Sequence, residues 1–209
     1  MAIVELSNIF KSYGKHMVID NFSYSFEKGS ITAIVGESGK GKSTLLNMIG
    51  LLEKPNKGNL IINNIKNPKV NSKAAMLLQR NIIGYLFQNY ALVDNMTVNQ
   101  NLDIALKYQK IKDKVNAKQQ ALSRVGLTNR LNSKIYELSG GEQQRVALAR
   151  LMLKPCEIVL ADEPTGSLDS HNRKNVMDLL EAFSKDGKTV IIATHDDFIA
   201  SNCEQVLTL

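Results

Sequence analysis

Directly after the apolar run ITAIV (residues 31–35) the chain reads GESGKGKS, and then a segment with Leu45, Leu46, Ile49 and Leu52 at helical spacing on one side. Gly36-x4-Gly41-Lys42-Ser43 fits the G-x-x-x-x-G-K-[ST] pattern of a phosphate-binding loop, and it sits where that pattern needs to be, between a buried strand and a helix. The glycines let backbone N–H groups curl around a phosphate chain without Cβ clashes. The helix that follows aims its free amides and positive dipole end at the same phosphates. Lys42 can reach the outer phosphates and the Ser43 hydroxyl can ligate Mg²⁺. Glu37, Ser38, Gly39, Lys40 and Thr44 complete the loop and the start of its helix. Lys40 is not required by the pattern and reads as a solvent-facing cation.

Two more apolar runs, EIVLAD (157–162) and TVIIAT (189–194), are continuous rather than alternating and rich in β-branched residues. That is how strands covered on both faces of a parallel sheet read. Helical patterns alternate with them: Val146, Ala149 and Leu153 in one segment, and Val176, Leu179, Leu180 and Phe183 in another that stops at Gly187. Strand–helix–strand alternation predicts an α/β sheet. The first 30 residues differ, with two strand patterns joined by a turn at Gly-Lys-His (14–16) predicting an antiparallel pair. Residues 90–135 show no strand pattern and read as helices inserted into the α/β frame.

A phosphate loop that works with Mg²⁺ needs a carboxylate at the end of a neighbouring strand, and EIVLADEP supplies Asp162 and Glu163. Adjacent residues at a strand end point in different directions, so Asp162 can hold the metal while Glu163 faces a water in line with the γ-phosphate. Alone, two acids before Pro164 would read as the cap of a strand at a turn. The stretch LSGGEQQRVALAR (138–150) places a second anion-binding device, Ser139-Gly140-Gly141, at a helix start. In this order and spacing the motifs resemble the ATP-binding-cassette (ABC) ATPases over nearly the whole chain. The fifth residue of that last motif, usually glutamine, is Glu142 here.

The resemblance implies a P-loop NTPase core, RecA-like with a mostly parallel sheet, carrying an N-terminal antiparallel β-subdomain and an inserted α-helical subdomain. It implies one domain over 1–209, with 1–89 and 136–209 as core and 90–135 as the helical part. It assigns ATP and Mg²⁺ as ligands. Tyr13 becomes the aromatic that stacks on adenine, although alone it would read as a strand tyrosine. Gln88 becomes the residue that attends Mg²⁺ and the attacking water. Asp169 in GSLDS becomes a bridge between subunits, and His195 the contact to the γ-phosphate. Residues 139–142 become the half-site that closes over the ATP of a second copy, giving a two-fold homodimer when ATP binds.

The same resemblance makes the chain the ATPase subunit of a bacterial transporter. RNIIGYLFQNYALVDNMTVNQNL, LSGGEQQRVALARLML and ADEPTGSLDS look most like the branch of macrolide exporters, lipoprotein-release, bacteriocin- and peptide-export ATPases and the cell-division partner. Among 209 residues, 44% apolar, no apolar run approaches the roughly 20 needed to cross a bilayer, and no signal-peptide pattern opens the chain. The membrane permease is therefore expected as a separate polypeptide, with this chain at the cytoplasmic face of the cell membrane. Within the permease contact, Tyr90 and Met96 are expected exposed, while Leu92 and Val93 serve equally as subdomain core. The net charge of +6 comes largely from scattered lysines. The denser patch at 107–118 reads as a solvated helix face that could also meet anionic headgroups. No nucleic-acid partner is expected, since the ABC ATPases that act on DNA or ribosomes carry long insertions or two cassettes. A force-transmitting role without cargo, as in the cell-division relative, stays open. Cys156 and Cys203 fit no metal spacing and read as small buried hydrophobes.

Overall fold

In the computed structural model, which describes residues 1–166 and 170–209, the first half runs β1 (Ala2–Tyr13), β2 (His16–Glu27), β3 (Ile31–Val35), α1 (Lys42–Ile49), β4 (Lys57–Ile62), β5 (Ile65–Lys66), α2 (Lys73–Asn81) and β6 (Ile83–Leu86). The second half runs α3 (Val98–Leu106), α4 (Lys114–Arg124), α5 (Gly140–Met152), β7 (Ile158–Asp162), α6 (Ser170–Lys185), β8 (Thr189–Ala193), α7 (Asp197–Ser201) and β9 (Gln205–Thr208). Asp169 lies outside the described residues.

The three apolar runs form the centre of a parallel sheet in the order β6-β7-β8-β3-β9. Their side chains alternate between two cores: Val159, Ala161, Val190 and Ile192 face one, Ile158, Leu160, Ile191 and Ala193 the other. A strand with two buried faces needs apolar residues at every position, which is why these runs do not alternate. One face is covered by α1 and the antiparallel sheet β2-β1-β4-β5. The other packs against α3 to α6. Leu45, Leu46 and Ile49 of α1 are fully buried, each contributing about 1.5–3 kcal/mol of apolar burial.

Helix α1 is shorter than its pattern predicts. It stops at the C-cap Gly50, where Leu51 turns left-handed with φ 58°. The N–H groups of Leu51 and Leu52 then bond back to Met48 O and Asn47 O at 3.1 and 2.9 Å, a reverse turn that satisfies the last carbonyls of the helix. Leu52 is thereby thrown outward and is 43% exposed, not on the buried face. The predicted turn of β1 and β2 tightens to Gly14-Lys15, with His16 already in the strand.

All four strands of the parallel sheet that precede a predicted site residue end on the same edge. Leu86 pairs with Ala161, Asp162 with Ala193, and Ile34 with Ala193. Extending that register sets Gly36, Glu163, His195 and Gln88 within about one residue of one another beyond the carboxyl ends of the strands. In open α/β sheets that is where ligands bind.

Candidate active site

Between β3 and α1 the loop closes around its own lysine. Lys42 is 6% exposed, and its Nζ donates to Gly36 O at 2.8 Å and Glu37 O at 3.2 Å. Gly41, in the left-handed conformation at φ 97°, caps α1 with no side-chain hydrogen bond. The first amides of the helix are therefore left for a ligand to satisfy. Glu37, Ser38, Gly39 and Lys40 line the outside of the loop, exposed. Lys40 sits 4.0 Å from Glu37 Oε2 on the solvent side.

From β7, Asp162 is buried and its Oδ1 accepts the Ser43 hydroxyl at 2.8 Å. Burial pushes its carboxyl above the ordinary value, the Ser43 hydrogen bond pulls it down, and the neighbouring Glu163 charge pushes it up again. Glu163 continues the sheet through its N–H to Ala193 O at 2.9 Å, then turns left-handed at φ 46°. A non-glycine residue held there stores roughly 1–3 kcal/mol of strain. The turn carries its carboxylate inward: Oε1 lies 3.8 Å from Lys42 Nζ, and Oε2 lies 2.9 Å from Nδ1 of the largely exposed His195. Oε2 is buried yet makes no hydrogen bond, so the His195 contact is close without hydrogen-bond alignment. An unsatisfied carboxylate oxygen in such a site is poised to accept a proton donor.

Tyr13, at the end of β1, is half-exposed, with its hydroxyl donating to Glu53. Lys11 Nζ stands 4.9 Å from the centre of its ring and 3.1 Å from Glu53 Oε2. Burial and then the Glu53 contact push the Tyr13 hydroxyl above its ordinary value, with Thr44 at the start of α1 pulling the other way. Gln88, two residues beyond β6, is exposed.

Across the molecule, Ser139 caps α5 in a reciprocal box. Its hydroxyl accepts from Glu142 N at 3.3 Å, while its N–H and hydroxyl both donate to Glu142 Oε2 at 2.9 Å. Those donors, the backbone N–H first, hold the Glu142 carboxyl below its ordinary value, with Arg130 Nε at 3.1 Å from Oε1 adding to the effect. A Cβ on Gly140 would meet nothing within 4 Å, so no described residue crowds that position at the start of the helix. No hydrogen bond or ion pair among the described residues joins residues 139–142 to the phosphate loop.

The family model described as "ABC transporter" matches residues 19–166, from β2 through the strand end at Glu163. The chain belongs to the ABC transporter ATPases. The cassette is 36% identical over 209 residues to the macrolide export ATP-binding/permease protein MacB of Campylobacter jejuni (strain 81-176), covering 99% of this chain and 33% of that protein. Against MacB of Salmonella choleraesuis it is 38% identical over 214 residues, covering all of this chain and again 33% of that protein. The cassette thus spans about a third of the length of these curated relatives. Among solved structures, the dimeric form of the bacterial ABC transporter cassette MJ0796 superposes with a TM-score of 0.90 at 35% identity, covering 99% of this chain and 94% of that one. The same cassette as a post-hydrolysis dimer with ADP and Pi scores 0.90 as well.

Some site residues of the cassette carry no motif. Glu53 holds Tyr13 and Lys11 from the loop after α1. Gln144, buried in α5, donates to Pro164 O and so anchors the turn that carries Glu163. Asp196 gathers Thr165 Oγ1 at 3.1 Å and Arg173 Nη1 at 3.4 Å beside His195. Burial pushes the Asp196 carboxyl up, but hydrogen bonds from Phe198 N–H, Thr165 and Arg173 outweigh it and the net shift is downward. Only Asp196, ahead of a short helix, had a readable signal, that of a helix cap.

Gly41 offers a local test of the loop. A Cβ there would meet Val18 Cγ1 at 2.8 Å in a backbone at φ 97°. Gly41→Ala is expected to cost roughly 1–3 kcal/mol of stability and to weaken ATP binding, because loop and β2 must part to admit the methyl. Denaturant melts with nucleotide titration check this, and wild-type values for both would show that the close approach is dispensable.

Proposed function

We propose that this ABC ATPase hydrolyses ATP as a closed pair of cassettes and thereby drives export through a membrane permease. The observation that carries the reading is Glu163, a strained residue whose buried Oε2 has no hydrogen bond while Oε1 faces Lys42. In this reading Lys42 and the free amides of α1 bind the phosphates. Glu163 Oε2 takes the proton of a water whose oxygen attacks the γ-phosphorus, the bond to the β–γ bridging oxygen breaks, and His195 keeps the carboxylate turned toward that water. Tyr13 supports the adenine ring by stacking.

Ser43 and Asp162 fit Mg²⁺: two hard oxygen donors in contact, one of them a carboxylate. When bound, Mg²⁺ supplies neutralisation of phosphate charge.

A dimer follows from the two separated anion sites. Residues 139–142 present a helix start with open space before it, and a second copy would bring its ATP there, as the dimeric form of MJ0796 supports. The permease contact follows from a groove of about 590 Å³ lined by Leu52, Met76, Phe87, Ile104, Tyr108 and Arg150, among others. We take residues 90–135 as the helical subdomain forming one wall. The occupant expected there is a cytoplasmic segment of the permease, at the cytoplasmic face of the membrane. The similarity to macrolide exporters supports export as the direction. No described helix is long and apolar enough to cross a membrane.

The groove revises the contact residues. Tyr90 and Leu92 pack on the core, whereas Val93 and Met96 are exposed, and of residues 89–98 only Ala91 lines the groove. Ile104 and Tyr108, 46% and 62% exposed, take their place. Lys118 drops out of the basic patch, because it is buried against Asp103 at 2.9 Å. Ile104→Ala with Tyr108→Ala is expected to remove co-purification of the membrane partner and its stimulation of ATPase activity, with thermal melting of the isolated chain as the folding control. Undiminished co-purification by a folded double variant would place the permease elsewhere.

A further inference from the structure

Gln88 sits on a backbone that needs outside support. Tyr90 N–H donates to Phe87 O at 2.9 Å, closing a turn with Gln88 and Asn89 at its tip, and Ala91 N–H donates to Asn89 O at 2.7 Å. The second bond closes a three-residue turn centred on Tyr90, and Tyr90 and Ala91 both have positive φ, 61° and 47°. A three-residue turn with positive φ at its centre is the rare, strained form, and the left-handed region disfavours tyrosine and alanine. What faces this pair is Arg150, in the last turn of α5. Its Nη2 donates to Tyr90 O at 2.7 Å and its Nη1 to Ala91 O at 2.5 Å. The Arg150 side chain is half-buried and forms no ion pair with a carboxylate among the described residues. A planar guanidinium offers two donors in fixed geometry, which a lysine ammonium does not.

We propose that Arg150 is the positioning residue for Gln88: by chelating the carbonyls of Tyr90 and Ala91 it holds the strained double turn closed and keeps the glutamine presented to the ATP site. The inference rests on the reading of Gln88 as the residue that attends the metal and the attacking water. Arg150 acts only through the turn. It belongs to the helix whose other end carries Ser139, so one rigid element serves both the Gln88 side of its own site and the half-site offered to a second copy.

The test is a double-mutant cycle of Arg150→Ala with Gln88→Ala, read by steady-state ATPase kinetics and by hydrogen exchange of the backbone. Arg150→Ala is expected to lower kcat about tenfold while leaving the KM for ATP within about twofold, and the double variant to be no slower than Gln88→Ala alone. Amides of Tyr90 and Ala91 should exchange at least about tenfold faster in Arg150→Ala, with those of β6 unchanged. Losses in kcat that multiply in the double variant, or unchanged exchange at 90–91, overturn the positioning role. A Gln88→Ala variant with wild-type kinetics overturns the reading of Gln88 itself, a separate and recognisable outcome. If Arg150→Ala does not fold, Arg150→Lys carries the same cycle, since it keeps the charge and stem but loses the paired donors.

Discussion

Glu163→Gln is expected to bind ATP as the wild-type chain does and to turn it over roughly 10²–10⁴-fold more slowly. The amide has nearly the size of the carboxylate, so it fits the same left-handed position at φ 46°, and neither the Lys42 contacts to the loop carbonyls nor the Ser43–Asp162 bond involves it. What it loses is the proton acceptor at Oε2, the buried oxygen with no hydrogen bond. Hydrolysis would stop while nucleotide binding persists, so the ATP-bridged pair should accumulate. Light scattering of the variant with Mg-ATP should therefore report a long-lived dimer, and the wild-type protein a transient one. Turnover near the wild-type rate would remove Glu163 from the role of base.

Ser139→Arg is expected to abolish ATP-dependent dimerisation and hydrolysis while leaving ATP binding by the single chain nearly intact. The side chain is exposed, caps α5 and makes no contact with the phosphate loop of its own chain. An arginine there would fill the open space before Gly140, where the partner's γ-phosphate would dock in the proposed dimer. Loss of the cap alone costs about 0.5–2 kcal/mol, and Ser139→Ala measures that part separately. Nucleotide titration with sizing by light scattering decides the matter. Loss of ATP binding by the monomeric Ser139→Arg protein would place Ser139 in its own chain's pocket and sink the composite site.

Much of the fold is legible in the sequence, and the exceptions have physical reasons. Continuous β-branched runs announce β3, β7 and β8 because burial on two faces leaves no room for polar residues. Strand β6 carries no such signal. It is four residues long and contains Gly84, which in sequence looks like a breaker. In the fold a Cβ at Gly84 would come within 2.4 Å of Leu151 Cδ1, so the glycine is there for close packing of α5. Strands β4 and β5, α2 and α7 leave as little signal, being short and only half-buried. In the candidate site, the phosphate loop and Asp162 could be read because their chemistry depends on local spacing. Gln144, Arg150 and Glu53 could not, since their partners are backbone carbonyls or side chains 20 to 60 residues away in sequence. Arg150 did leave a trace: it is the lone charge within VALARLML, and a cation amid apolar residues on a helix asks for a partner.

Arg150 and Ala91 both line the groove proposed for the permease, and Arg150 stands about 17 Å along α5 from Ser139 at 1.5 Å per residue. A segment that fills the groove beside Arg150 and Ala91 would therefore touch the residues proposed to set the turn of Gln88. Linkage then makes the traffic two-way: whatever factor the occupant imposes on ATP affinity, ATP must impose on the affinity for the occupant. A short peptide copied from the cytoplasmic side of the membrane partner becomes, on this account, a nucleotide sensor in its own right. Its dissociation constant, measured with and without ATP, reads out the transmission between membrane and active site without knowledge of the cargo.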